Sequence, residues 1–127
     1  MITASEYYEG IKQFSPLSSG DPTLDTLLRG GFVHGPVYFL YGPKKTLSSI
    51  LMKTAVNSLK KNDEEQRSHI IAYIDGENRF DPYLISKLAV INHINPSFVL
   101  KHIIVSRIFT WDKMVEVLHE KLSTINE

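Results

Sequence analysis

A buried-strand pattern, Pro36-Val37-Tyr38-Phe39-Leu40-Tyr41, runs straight into Gly42 and then into a helical pattern from about Ser48 to Lys60. A strand that empties through a glycine into a helix is the basic unit of an α/β sheet. The unit repeats downstream. His69–Asp75 is apolar on both faces, as a central parallel strand is. Asp81-Pro82 then opens a helix that carries Leu84, Ile85, Leu88 and Ala89 to about Asn92, where Asn95-Pro96 breaks it. A third strand is expected over about 101–106, and a last helix from Trp111 to about Ser123 with Val115, Leu118 and Leu122 as its stripe. Strand, helix, strand, helix, strand, helix predicts parallel strands joined by right-handed crossovers.

The chain before the first strand reads as two short helices. Tyr7, Ile11 and Phe14 have helical spacing, and Pro16 ends that pattern. Asp21 is an expected N-cap with Pro22 at the first helical position, and Gly30-Gly31 stops a helix over Pro22–Arg29. Leu24, Leu27 and Leu28 lie on one face of it. Residues 60–67 read as a charged, solvated loop.

Bulk properties narrow the classes. With 127 residues, 43% of them hydrophobic and 22% charged, the chain is one globular domain with a modest core. Lysine plus arginine equals aspartate plus glutamate at 14 each, so no net positive charge drives a grip on nucleic acid. Contact with DNA is expected to be indirect. There is no cysteine, hence no disulfide framework or thiolate ligand, and a reducing, cytoplasmic location is expected. No apolar run approaches the roughly 20 residues of a membrane helix. The five histidines show no metal-ligand spacing, so no metal site is expected.

The junction after the first strand is also where a phosphate-binding loop, G-x-x-x-x-G-K-[ST], would sit. Gly42 holds the first glycine position and Ser49 the magnesium-binding hydroxyl position. Leu47 replaces the second glycine and Ser48 the lysine. Lys44, Lys45 and Thr46 complete a degenerate nucleotide loop; the two lysines add charge, though not from the position the motif requires. Pro43 removes one N–H donor. The junction therefore reads either as an anion site at a helix start or as a vestigial turn.

A second constellation, Ile74 through Pro82, places Asp75 and Glu77 at the C-terminal end of a central strand, the edge where α/β folds bind ligands. Glu77 there is either a general base or part of a polar loop, and Asp81 is a helix cap. Arg107, just past the third strand, faces a phosphate or solvent. Phe109 and Trp111 read as packing residues.

Taken in order, these segments resemble the RecA/RadA recombinase family, most closely its archaeal RadA members, over nearly the whole chain. Residues 1–8 look like the family's F-x-T-A-x-E-Y-L linker. Residues 17–31 resemble its T-G-x-x-x-L-D-x-L-L-G-G-G core entry. Residues 42–49 align without gaps on G-E-x-G-[ST]-G-K-T, and residues 73–80 on Y-I-D-T-E-G-x-F. The resemblance implies an α/β, truncated RecA-like P-loop NTPase fold, a small parallel sheet flanked by helices. It divides the chain into an interaction segment, residues 1–16, and a core, residues 17–127. It puts the family's catalytic carboxylate at Glu77, with nothing to activate once the loop lysine is gone. The chain reaches Glu127 before the family's Walker B strand and DNA-binding loops.

With the first strand's usual neighbours missing, a sheet ordered one-two-three is expected. In the family, an F-x-x-A segment docks in a neighbouring subunit. Here Ile2, Ala4, Tyr7 and Tyr8 hold that place. The expectation is a non-catalytic recombinase paralogue, without bound cofactor, that modulates DNA recombination and repair by binding a RecA/RadA-type recombinase or its own kind. The alternatives are an ATPase in which Lys44 or Lys45 replaces the missing lysine and ATP with magnesium binds, and a single-stranded DNA-binding module.

Overall fold

The computed structural model describes residues 1–12, 16–65, 69–108, 112–113, 115–116 and 118–120. The elements, in chain order, are α1 (Ala4–Lys12), α2 (Pro22–Leu27), α3 (Lys44–Glu65), β1 (Ile71–Asp75), α4 (Pro82–Ile91), α5 (Pro96–Lys101) and β2 (Ile103–Arg107). Residues 112–113, 115–116 and 118–120 are also helical, within the span expected for the last helix. Phe14, Phe109, Trp111 and Leu122 lie outside the described residues. The chain divides into two compact units, Met1–Ser58 and Leu59–Glu127.

In the first unit, α1 is started by a reciprocal capping box. The Thr3 N–H donates to Glu6 Oε2 at 3.0 Å and the Glu6 N–H to Thr3 Oγ1 at 3.1 Å. Asp21 caps α2, accepting from the Thr23 and Leu24 N–H groups, with Pro22 at the first position as expected. The helix stops at Leu27, two residues short of the expected Arg29, because Arg29, Gly30 and Gly31 all have positive φ. Leu27 is exposed, so the expected three-leucine face is only half-buried at Leu24 and Leu28.

The stretch from residue 17 to 32, which contains α2, is closed by an antiparallel bridge in which Leu17 and Phe32 exchange both backbone hydrogen bonds at 2.8 Å. The Tyr38 ring packs edge-on against Phe32, centroids 4.8 Å apart, and its hydroxyl accepts from the Val33 N–H.

Two expectations are corrected here. Residues 36–41 form no strand: they have no regular secondary structure and no β partner among the described residues. The helix after them begins at Lys44, four residues before the expected Ser48, and continues through Glu65, so most of the expected charged loop is helical. The reason lies in Leu47. Lys44, Lys45 and Leu47 are good helix formers, and with no glycine at 47 the coil winds back to Pro43, whose carbonyl accepts from the Leu47 N–H at 3.0 Å.

The second unit contains the sheet. β1 and β2 pair in parallel with Ile71 opposite Ile103 and Asp75 opposite Arg107. The small parallel sheet flanked by helices holds as expected, but with two strands among the described residues and not three. Asp81 caps α4 through the Tyr83 and Leu84 N–H groups. Asn95-Pro96, read from sequence as a breaker, also starts a helix: Asn95 caps α5 by accepting from the Ser97 N–H at 2.9 Å. α4 packs against α5. Ile85, Leu88, Ala89, Ile94, Val99, Ile103 and Ile108 are buried in this unit. No helix among the described residues is long and apolar enough to cross a membrane.

Candidate functional site

The segment expected to be a degenerate nucleotide loop is a helix start. Gly42 is half-buried in a bend, Lys44, Lys45 and Thr46 form the exposed first turn of α3, and Ser48 and Ser49 follow in the second turn, half-buried. The Ser48 hydroxyl donates to the Lys44 carbonyl at 3.0 Å. A phosphate loop wraps a triphosphate with successive backbone N–H groups of an open, glycine-rich turn and reaches it with a lysine at the helix start. Here Pro43 has no N–H, the Leu47 N–H is taken by the Pro43 carbonyl, and position 48 is serine. These residues do not fit magnesium–ATP in the manner of a phosphate loop.

The loop after β1 is built around Asp75. This carboxylate is only 5% exposed. Its Oδ1 accepts from the Glu77 N–H at 3.2 Å and the Arg79 N–H at 3.1 Å, and its Oδ2 from the Phe80 N–H at 2.9 Å. Burial raises the Asp75 pKa, but the three N–H donors and the Arg107 charge outweigh it, so the group is held below its usual 3.8. Asn78 takes φ +57 to close the turn, a conformation asparagine tolerates. The Tyr73 ring packs on Phe80 at 5.0 Å, and burial followed by the Asp75 charge pushes the Tyr73 hydroxyl up.

Glu77, the expected catalytic position, is half-exposed at the tip of this turn and pairs with Arg79 Nε at 3.0 Å. Such exposed pairs contribute little. The carboxylate that organises the loop is Asp75. A lone acid closing an apolar strand, followed by five residues rich in backbone donors, was the signal for it. Arg107 lies opposite Asp75 in the ladder, which places its charge toward that carboxylate.

The core-entry motif folds around a second carboxylate. Asp25 Oδ2 accepts from the Ser18 hydroxyl at 2.5 Å, and its Oδ1 from the Ser19 N–H at 2.8 Å and the Ser19 hydroxyl at 2.7 Å. The Ser18 hydroxyl is the largest cause of a lowered Asp25 pKa, with burial opposing it and Ser19 adding to it. Gly20, at φ +81, lies against Lys53 and Asn57 of α3, where an added Cβ would meet atoms at 2.8 Å. Serine, glycine and aspartate in this motif thus lock a turn. Sequence reasoning aligned these residues without assigning them a task.

At the N-terminus, Ile2, Ala4, Tyr7 and Tyr8 are all exposed; Ile2 precedes α1, Ala4 is its first residue, and Tyr7 and Tyr8 follow within it. Among the described residues no three His, Asp or Glu side chains gather to hold a metal. The loop at 42–49 and the interaction positions belong to the first unit, Glu77 and Asp75 to the second.

Residues 12–127 match the sequence model of the Rad51 family. The chain is 28% identical over 98% of its length to the DNA repair and recombination protein RadA of Cenarchaeum symbiosum, covering 32% of that protein. It is 29% identical over 98% of its length to the DNA repair protein rhp51 of Schizosaccharomyces pombe, covering 34% of it. Against the DNA repair and recombination protein RadB of Thermococcus kodakarensis it is 33% identical over 69% of its length, covering 36% of that relative. The chain spans about a third of the length of each of these curated relatives.

Proposed function

The chain belongs to the Rad51 family, and on that premise we propose that it is a non-catalytic paralogue that modulates DNA recombination and repair by binding a recombinase. The observation that carries this reading is the start of α3. The positions that would cradle a triphosphate are wound into a helix, and serine stands where the lysine belongs. Glu77, half-exposed and paired with Arg79, then has no bound nucleotide to act on. Equal numbers of acidic and basic residues support an indirect relation to DNA, through the partner.

Calorimetric titration with magnesium–ATP tests the loss of turnover. No heat of binding is expected up to millimolar nucleotide. Micromolar binding overturns the reading, and its disappearance in the Lys44→Ala/Lys45→Ala chain would transfer the phosphate to those two lysines and favour the ATPase alternative.

Binding to the recombinase is assigned to the N-terminal segment, where Ile2, Tyr7 and Tyr8 expose apolar surface beside Ala4. Ala4→Glu puts a carboxylate in the first turn of α1, which the helix dipole favours. It is therefore expected to leave α1 formed while weakening capture of a RadA-type recombinase at least tenfold in surface plasmon resonance. Unchanged affinity would sink the docking assignment.

A further inference from the structure

We draw no further inference here: the strongest candidate, the apolar face of α4 in the second unit that carries Tyr83, Val90 and Ile91, is a helix face for which nothing in the structure shows what covers it.

Discussion

Asp75→Ala is expected to destabilise the second unit by about 3 kcal/mol, because the backbone donors that the carboxylate gathers lose their acceptor at once. In a unit of this size that corresponds to a fall of roughly 12–24 °C in the melting midpoint. Three N–H groups, from Glu77, Arg79 and Phe80, converge on a side chain that is 5% exposed. Asp75→Asn keeps one acceptor oxygen and replaces the other with a donor aimed at N–H groups, so it should recover only part of the loss. Glu77→Ala, which removes an exposed ion pair, is expected to change stability by less than about 0.5 kcal/mol. Thermal denaturation followed by circular dichroism measures all three. Equal effects of the Asp75 and Glu77 substitutions would refute the assignment of Asp75 as the organiser of the loop.

The same carboxylate gives the unit an acid limit. The Asp75 pKa is lowered in the folded chain relative to 3.8, so the folded state binds fewer protons than the unfolded state between the two values. Its stabilising contribution is complete above the unfolded value and is lost as pH falls through the lower folded one. Stability should therefore drop with a positive slope against pH below about 4, and that slope should shrink in Asp75→Asn.

Gly31→Ala is expected to cost the first unit about 3–5 kcal/mol. Gly31 has φ +137, which an L side chain rarely adopts. An added Cβ would also stand 2.3 Å from the Leu17 carbonyl oxygen. That carbonyl accepts from the Phe32 N–H, so relief of the clash must break the Leu17–Phe32 bridge that closes the segment. Gly30→Ala is the internal control. Its φ of +118 is also unfavourable, but an added Cβ there meets only Pro16 side-chain carbons at 3.7 Å and beyond. The expected result is the larger loss for Gly31, with hydrogen exchange at the Leu17 and Phe32 amides accelerated. Equal losses at both positions would mean that backbone strain alone, and not the close approach, is the cause.

What was legible from sequence was local chemistry. The caps at Asp21 and Asp81 with their following prolines were readable, because a carboxylate and a proline act within one helical turn. β1 and α4 were readable because an apolar run and a 3.6-residue period each report directly on burial. The strand expected at 36–41 was a different case. Its pattern is that of a strand, yet a strand is completed by hydrogen bonds to another segment, and pattern alone does not supply the neighbour. The start of α3 was misplaced for a related reason. Alignment to a loop motif carried the boundary to Ser48, whereas the replacement of a glycine by Leu47 removed what holds such a loop open.

The candidate site divides along the same line. Its residue types were visible in the sequence: the missing lysine at Ser48, the acids at 75 and 77, the serine–glycine–aspartate entry. By itself the sequence determined the α/β class, the helix starts at α2 and α4 and membership of the Rad51 family, because each depends on residues near one another in the chain or on motif order. Only the tertiary structure decided that Asp75 and not Glu77 organises its loop, that Asp25 locks the core-entry turn, and that residues 36–41 have no β partner among the described residues. Those outcomes rest on which donors converge on a buried acceptor and on which segments find a β partner. Both are set by packing in three dimensions and not by the spacing of residues along the chain.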